Sequence, residues 1–542
     1  MSKNKTNFMV QGSILAIAGI LVRIIGVIYR IPLRSIMGPT AMGYYSTAYD
    51  VYSLFLLLSS MSLPIAVSKL VSAKYAKKEY KNAWKTFVGA MIFAIIIGLI
   101  VSSIMFFGAE KIAELAGYSN SKYALMVLAP TLFVMSVLGV MRGFFQGLGT
   151  MVPTAFSQVL EQIANCVLSI SAGIYLMKVG MKVGEENSYG AAGVTMGTLV
   201  GALTALLFLA FVFILYYGKL RRNIRRDRTR NIESYSYITK ILVLTIFPVL
   251  LSTTIYNFSN LFDSVIFGNI MKDVLHVAEE TYTTKWGIYS SEYRLLTTVP
   301  IAIASALSSA VIPSLVKSKN EGNKGAVINK VESAIRFTMI IAIPAGVGLS
   351  MLAGPILFVL FPDPVTYNDS VHLMRLAFFT VLVFSFSTIT NGILQGIDRM
   401  KAPVINASVA LAIHLVIIVI ALIVFKGGIF GVVISDICYG ALVCLFNLRS
   451  LRKYLNYRQE LLKTFVLPCV AAAIMGIISY GTHHLLMLVL DANLLWTIVA
   501  VIVAIIVYFV LLLSLRTVDE AELYMMPMGS KIVMIARKLH LM

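Results

Sequence analysis

The sequence has few charged residues: Asp, Glu, Lys and Arg make up 13% of its 542 residues, about half of the roughly 25% usual in soluble domains. So few charges exclude a soluble globular enzyme, and a hydrophobic content of 58% excludes a disordered chain. Acidic residues are scarcer than basic ones: the chain has 25 acidic and 45 basic residues, which gives a net charge of +20. A basic chain can bind nucleic acid, but this one has no polar domain to carry such a site. We therefore expect an integral membrane protein whose positive charge reflects its topology.

Cysteine and histidine are also scarce, with four and six copies. All four cysteines lie in apolar runs without a metal-ligand spacing, so we expect neither a disulfide framework nor a metal site. The sequence has no GxSxG, HExxH or GxxxxGKS motif. We therefore expect a protein that is not an enzyme and has no cofactor. Without an ATPase domain, its energy must come from sodium or proton coupling, the membrane potential or the substrate gradient.

Long apolar runs are abundant, and each is long enough to cross a membrane as a helix, which takes about 20 residues. The first run is too long for the hydrophobic part of a signal peptide, so we expect it to remain as a span. The predicted fold class is an all-α integral membrane protein with 14 transmembrane helices. The predicted spans, numbered 1 to 14, are 8–31, 44–72, 84–107, 122–147, 153–177, 191–217, 237–270, 287–316, 332–361, 370–397, 402–425, 428–449, 462–488 and 493–515.

The connecting segments support this even count. When they are assigned alternately to two sides, the side that includes the N-terminus holds 31 Lys and Arg residues and the other side holds eight. Because basic residues are retained in the cytoplasm, both termini are predicted to be cytoplasmic, in a bacterial plasma membrane. The same segments should adhere to the anionic lipids of the inner leaflet, so we expect those lipids, and not nucleic acid, as partners.

The chain contains an internal duplication. The pattern G-x-x-Q-G-[LI], followed by a proline, ends span 4 and recurs at the end of span 10, and its residues are Gly143, Gln146, Gly147 and Gly392, Gln395, Gly396. In the same way, Gly43-x-Tyr45-Ser46 and Gly287-x-Tyr289-Ser290 mark spans 2 and 8. The copies lie six spans apart, so they have the same orientation in the membrane. This predicts two six-helix lobes in parallel pseudo-repeat plus two C-terminal helices.

The duplication defines the predicted domains and favours transport by alternating access, because two lobes with a cleft between them form a transport path. The alternative is a duplicated scaffold that transports nothing. The predicted domains are the N-terminal lobe 1–217, the basic cytoplasmic linker 218–236, the C-terminal lobe 237–450, the last two helices 451–516 and the cytoplasmic tail 517–542.

Arginines in span 1 are the main candidate site. Arg23 and Arg30 are seven residues apart, close to two turns, and Arg34 continues the same side toward the outer surface. Guanidinium groups suit phosphate, which they can bind bidentately, so we expect these side chains to line the central cleft. The alternative is that Arg30 and Arg34 lie at the interface while Arg23 pairs with a buried acid. Arg142 lies near the end of span 4, and we expect it to extend to the interface.

Acidic and amide groups form two further candidate sites. Asp50 in span 2, with Glu292 and Arg294 in span 8, is predicted to balance the span 1 arginines and to exchange partners when substrate binds. A static charge pair between the lobes is the alternative. The second candidate site is a sodium or proton site in span 7, for which interhelical hydrogen bonding is the alternative. Its predicted residues are Asn257, Asn260 and Asp263.

The chain resembles the multidrug/oligosaccharidyl-lipid/polysaccharide (MOP) exporter superfamily, in the branch of polysaccharide biosynthesis and stage V sporulation B proteins that includes the MurJ-type lipid II flippases. The resemblance covers all 14 spans and rests on three stretches. These are Arg23-x-x-Gly26 with Arg30, Pro64 to Lys69, and Gly392 to Arg399. It implies that arginines matching Arg23, Arg30 and Arg294, with Glu292 as an acidic partner, hold a pyrophosphate-linked sugar.

The resemblance implies a flippase that carries an undecaprenyl-pyrophosphate-linked glycan, lipid II above all, from the inner to the outer leaflet. The expected partners are this lipid-linked oligosaccharide and cell-wall synthesis enzymes. One alternative is a flippase for a teichoic acid or capsular polysaccharide precursor. Another is a cation-coupled exporter of drugs or metabolites, whose cavity should be acidic or apolar. A third is a structural partner that organises wall or spore-coat enzymes without transporting anything.

Overall fold

The computed structural model describes the backbone of residues 2–515, 517 and 534, and the side chains of these residues other than 2–13, 16, 58, 61 and 247–258. The predicted tail 517–542 lies outside the described residues except at two positions. The described backbone is almost entirely helical and contains no β-strand. Eleven of its helices are long and apolar enough to cross a membrane, which confirms the all-α membrane class. The exact number of 14 spans stays a prediction.

The chain forms two compact units, residues 1–287 and 288–542. The helices of the first unit are α1 Ser2–Ile28, α2 Arg30–Leu56, α3 Leu63–Ala76, α4 Tyr80–Phe107, α5 Ala109–Leu115, α6 Lys122–Gly147, α7 Val152–Gly180, α8 Glu186–Arg226, α9 Tyr235–Asn269 and α10 Glu279–Ile288. The last of them, α10, ends one residue beyond the boundary of this unit. The helices of the second unit are α11 Arg294–Asn320, α12 Lys324–Met351, α13 Ala353–Leu360, α14 Tyr367–Met374, α15 Ala377–Gly396, α16 Lys401–Ile423, α17 Gly428–Leu455, α18 Leu467–Met487 and α19 Asn493–Ser514.

Two long helical runs change their winding midway. Leu57–Met61 is a π-helical segment between α2 and α3, and Tyr289–Tyr293 is another between α10 and α11. In addition, Gly38 has φ 79° inside α2, directly before Pro39, so the chain kinks there. Glycine adopts this positive φ without steric cost, and proline cannot continue the hydrogen-bond ladder. Such interruptions are common at functional sites because they free backbone groups and redirect side chains.

Each unit has its own apolar core. In the first unit, aromatic rings of α4, α6 and α8 pack together, with the Phe87 ring centroid 4.6 Å from that of Phe144 and 5.3 Å from that of Phe213. In the second unit, the core joins α11, α12, α15, α17, α18 and α19 around residues such as Met339 and Ile389. Many large apolar side chains outside these cores are exposed, as expected of surfaces that face lipid.

The duplicated glycines allow close helix packing at equivalent places in the two units. A Cβ atom on Gly143 would lie 2.8 Å from the Pro64 carbonyl oxygen, so α6 and α3 meet backbone to backbone. A Cβ atom on Gly147 would likewise lie 2.8 Å from Val71 Cβ. In the second unit, Gly392 faces Ser308 and Gly396 faces Leu315, so α15 lies against α11. The glutamines of the pattern are less enclosed, since Gln146 is half-buried and Gln395 is exposed.

The basic linker is held against the first unit by its few acids. Asp227 is 8% exposed and accepts hydrogen bonds from the backbone N–H groups of Lys81 at 2.6 Å and Thr229 at 2.7 Å. Glu233 forms an ion pair with Lys74, and its backbone N–H donates to Asn82 Oδ1 at 3.1 Å. The linker is therefore an ordered strap across the α3–α4 turn.

Candidate substrate-binding site

The arginines of span 1 share one face of a continuous helix. Helical hydrogen bonds run from α1 into α2, because Tyr29 N–H donates to Ile25 O at 3.1 Å and Leu33 N–H donates to Tyr29 O at 3.2 Å. Arg23 is exposed, and it lies two turns before Arg30 on the same side. The exposed apolar side chains of α1 form a separate stripe, roughly 120° around the axis from Arg23. That stripe consists of Ile17, Ile20, Leu21, Ile24 and Ile28.

The arginine face lies beside the contact between α1 and α7. A Cβ atom on Gly26 would be 3.6 Å from Nε2 of Gln162, which shows where the two helices approach. Arg23 therefore lies between a protein contact on one side and an apolar stripe on the other. This is the position expected of a residue that lines a polar cleft, since a charged side chain avoids lipid.

Arg30 lies among tyrosines. The side chains of Tyr29, Tyr45 and Tyr49 are close enough to interact with its guanidinium, and Tyr29 and Tyr45 are buried. Nε of Arg30 is buried and has no hydrogen-bond partner among the residues that the structure describes. The ion pairs of the same residues include neither Arg23 nor Arg30. A buried donor without an acceptor is costly, so this position favours an anionic ligand.

Two further candidates of the first unit lie on α2. Arg34 is 2% exposed, so its side chain is enclosed by protein and does not extend into the interface. Asp50 is half-buried and lies near Tyr49 and Tyr118. The first unit thus holds four of the six predicted substrate-binding residues.

Glu292 and Arg294 belong to the second unit. Glu292 is 1% exposed within the π-helical segment, and Arg294 is half-buried at the start of α11. The neighbouring tyrosines anchor this segment, because Tyr289 donates to Asp436 Oδ2 at 2.5 Å and the Tyr293 hydroxyl lies 2.6 Å from Thr380 Oγ1. The wider winding therefore places a buried carboxylate within a fixed hydrogen-bonded frame.

The structure contains an ion pair that sequence reasoning did not predict. Arg142 Nη2 lies 2.7 Å from Glu161 Oε2, and Arg142 Nε donates to Ser157 Oγ at 3.1 Å. Arg142 is 8% exposed, so the expectation that it extends to the interface is wrong. Glu161 also lies near Tyr49 and so adjoins the tyrosines around Arg30. Glu161 belongs to span 5, and the sequence does not show which side chain of span 4 it meets.

The predicted ion-coupling residues lie on α9. The side chain of Asn257 lies outside the described residues. Asn260 is half-buried, and Asp263 is 1% exposed. A buried carboxylate in a membrane helix is a candidate for cation or proton binding, and this role stays a prediction.

Among the described residues, Arg23 and Arg30 thus share one face of a membrane helix without forming an ion pair, an arrangement that suits the binding of an anion. Family comparison agrees with the transporter class. The chain belongs to the polysaccharide biosynthesis protein family, whose model matches residues 9–319. Its fold is similar to that of an inward-facing multidrug resistance MATE family transporter of the MOP superfamily, with a TM-score of 0.64 and 16% identity over 80% of this chain and 95% of that one. The MatE family also matches residues 286–420. The protein is therefore a membrane transporter and not an enzyme.

The relatives to which the chain is similar include a protein of the MurJ type. It is 27% identical to the lipid II flippase MurJ of Bacillus subtilis (strain 168) over 490 residues, which is 86% of each chain. It is 25% identical to stage V sporulation protein B of the same organism over 543 residues, with 98% of this chain and 99% of the relative covered. A solved structure of lipid II flippase MurJ in an inward closed conformation matches with a TM-score of 0.64 and 17% identity, covering 92% of this chain and 97% of that one. The fold is therefore shared.

Proposed function

We propose that this protein is a flippase that moves an undecaprenyl-pyrophosphate-linked glycan, lipid II in the first place, from the inner to the outer leaflet. The observation that carries the proposal is the pair Arg23 and Arg30. Both lie on one face of the helix, apart from its stripe of exposed apolar side chains, and both lack an ion pair among the described residues. Nε of Arg30 is also buried without a hydrogen-bond partner among these residues. A pyrophosphate supplies an acceptor for this donor and a counter-charge for both guanidinium groups. The similarity to the lipid II flippase MurJ of Bacillus subtilis supports the same substrate class.

In this proposal the polyprenyl tail stays in lipid while the head group enters the cleft from the cytoplasmic side. Arg30 binds the phosphate, Arg23 attracts it, and the tyrosines around Arg30 stack against sugar rings. Both termini lie in the cytoplasm of a bacterial cell, and a sodium ion or proton bound at Asp263 couples the cycle. Rocking of the two lobes then exposes the head group outside.

The test is whether the protein restores lipid II at the outer surface of bacteria depleted of their own lipid II flippase. Arg23→Ala and Arg30→Ala should each reduce surface lipid II at least about tenfold, because a hydrogen bond to a charged group contributes ~1.5–3 kcal/mol. Arg30→Lys should keep part of the activity, because lysine keeps the positive charge but lacks the planar guanidinium group that can bind two phosphate oxygens at once. The matched control is Arg458→Ala, which changes an exposed arginine in the α17–α18 connection. Undiminished flipping by both alanine variants at normal protein level would refute the proposal.

A second candidate is a cation-coupled exporter of drugs or metabolites, which the match of the MatE family to residues 286–420 favours. It predicts that cells expressing the protein export cationic dyes and that Arg30→Ala leaves this export intact. A teichoic acid or capsular precursor is distinguished by substrate. Rescue would then appear in cells blocked in that pathway and not in cells lacking a lipid II flippase.

A further inference from the structure

A cavity of about 350 Å³ lies in the second unit, apart from the arginines and acids discussed above. Four elements form its walls: the end of α12, α13, the stretch from α14 to Arg375, and the last turns of α18. Its polar lining consists mainly of Tyr367, His372, Arg375, Tyr480, His483 and His484. By the predicted topology, this end of the spans faces outward.

The cavity is lined by one guanidinium group and three imidazole groups. These side chains carry hydrogen-bond donors, and the guanidinium of Arg375 carries a positive charge. Arg375, His372 and His484 are all exposed and therefore accessible to a ligand. No acidic side chain lines the cavity; the acids on the adjoining elements are Asp363, Asp369 and Asp491. The lining therefore suits an anion.

His483 is a positioning residue and not a ligand. Its Nε2 lies 2.8 Å from Asn493 Oδ1, while Asn493 Nδ2 donates to the Pro355 carbonyl at 3.3 Å. Because the amide nitrogen of Asn493 donates to Pro355, the amide oxygen is the atom that faces Nε2 of His483. These two hydrogen bonds hold α18 against α19 and α13. They therefore also hold in place the cavity wall that carries His484.

The histidines are not arranged for a metal ion. Among the described residues, no group of three metal-ligating atoms within 4.8 Å of one another includes His372, His483 or His484. The ring of His484 instead stacks on Tyr480, with centroids 6.3 Å apart and planes inclined by 2°. An aromatic and cationic wall of this kind suits a phosphate ester better than a metal.

The cavity borders the lipid-facing side of α18. One face of this helix carries exposed apolar side chains, and Tyr480 and His484 lie at the edge between that face and the buried one. The exposed face consists of Val470, Ile474, Ile477, Ile478 and Leu485. A molecule whose phosphate occupies the cavity could therefore lay acyl chains along this stripe, which a free phosphate ion could not do. Tyrosines at this depth are typical of the interface where lipid head groups lie.

We propose that this cavity binds the phosphate head group of an anionic glycerophospholipid of the outer leaflet, with Arg375 as the main ligand and His372 and His484 as additional donors. Basic pockets between transmembrane helices bind anionic head groups in this way. The proposal does not depend on the transported substrate, so the flippase function can fail while this site stands.

The test uses the purified full-length protein in detergent and short-chain phosphatidylglycerol as the probe, with binding measured by native mass spectrometry. Arg375→Gln should weaken binding roughly tenfold, as the loss of a charge-assisted fork does, and Arg375→Lys should weaken it less. Arg458→Gln, an exposed arginine far from the cavity in sequence, should bind as the wild type does.

Two further probes separate the sources of the anion. Phosphatidylcholine of the same chain length should bind more weakly than phosphatidylglycerol, because it carries no net negative charge. Millimolar inorganic phosphate should not displace the lipid. Equal binding of both lipids, displacement by inorganic phosphate, or unchanged binding by Arg375→Gln would each overturn the proposal. Lipid binding is compared only between proteins that have the melting temperature of the wild type. If Arg375→Gln unfolds, Arg375→Lys takes its place in the comparison.

Discussion

At the scale of residues, two kinds of charged side chain are informative. Some form an ion pair in the fold, and others form none among the described residues. The sequence identified Arg23 and Arg30 because two basic residues seven apart must share a helix face. It could not show that Arg30 lies among tyrosines, because Tyr45 and Tyr49 approach it only after the chain turns at Gly38. For the same reason the partner of Arg142 was missed: Glu161 is 19 positions away, and hydropathy carries no information about which spans adjoin.

The Arg142–Glu161 pair gives a prediction about stability. Either Arg142→Gln or Glu161→Gln leaves a half-buried charge without its partner, so each should lower the unfolding free energy by about 1.5–3 kcal/mol. The double variant leaves no such charge and should lose less than the sum of the two, with a coupling of ~0.5–3 kcal/mol. Thermal unfolding of the purified variants in detergent measures this.

Lys178→Gln is the matched control for the pair, because it removes an exposed charge from the same helix, α7. It should leave the unfolding transition unchanged. If the two single substitutions were additive in the double variant, the ion pair would contribute nothing to stability.

At the scale of elements, the sequence predicted the spans well and their interruptions poorly. Span 4, predicted as 122–147, coincides with α6, which runs from Lys122 to Gly147. Spans 2 and 8 were predicted as single helices, yet each contains a π-helical segment. A window of about 20 residues averages apolarity, so it detects the length of a run but not a change in hydrogen-bond register within it.

The duplicated glycines of the two units lie against different atoms. Substitution by alanine should therefore destabilise the protein more at some of these positions than at others. At Gly143 an added methyl would meet the backbone of Pro64, which cannot move aside, so Gly143→Ala should cost about 1–3 kcal/mol. At Gly396 it would lie 2.9 Å from Leu315 Cδ2, the end of a flexible side chain, and Gly396→Ala should cost less. Gly348 in α12 has open space, and Gly348→Ala should be neutral or stabilise by roughly 0.5–1 kcal/mol.

Melting temperatures of these three variants check the order. A Gly143→Ala protein as stable as Gly348→Ala would contradict backbone contact between α6 and α3.

The contact that holds the linker strap against the first unit should depend on pH. Burial alone would raise the pKa of Asp227, but the hydrogen bonds from Lys81 N–H and Thr229 outweigh it and hold the pKa below its ordinary value. A carboxyl with a depressed folded pKa contributes its stability above the unfolded pKa, about 3.9, and loses it as pH falls through the folded pKa. The strap should therefore be fully held at pH 7 and released only below about pH 4.

Asp227→Asn should release part of this contact at every pH. At pH 7 it should speed tryptic cleavage at the linker arginines roughly 5- to 30-fold, as a loss of about 1–2 kcal/mol implies. Asp398→Asn, an exposed acid in the other unit, should leave cleavage unchanged. Equal cleavage of wild type and Asp227→Asn would show that the strap is held by other contacts.

At the scale of the whole molecule, the duplication has a structural consequence in a contact between α2 and α10. Gly43 and Gly287 occupy equivalent positions in the two repeats. A Cβ atom on Gly287 would overlap the Pro39 carbonyl oxygen and lie 3.1 Å from Gly43 N. Beside them, the hydroxyl oxygens of Thr40 and Thr284 are 2.8 Å apart. The repeat predicted which residues are equivalent, but not that they touch, because sequence similarity reports ancestry and not proximity.

By the predicted topology this contact lies at the outer ends of spans 2 and 8, which must separate if the cleft opens outward. Thr40→Cys with Thr284→Cys, in a protein whose four native cysteines are replaced, should form a disulfide or accept a short bis-thiol crosslinker. Crosslinking should abolish transport while leaving substrate binding from the cytoplasmic side intact, and reduction of the disulfide should restore transport. Glu110→Cys with Lys122→Cys is the matched control, since these side chains lie 3.7 Å apart within one predicted lobe and their crosslink should not matter. Transport at the normal rate by the crosslinked Thr40–Thr284 variant would mean that these helix ends need not part, and the cycle would have to open elsewhere.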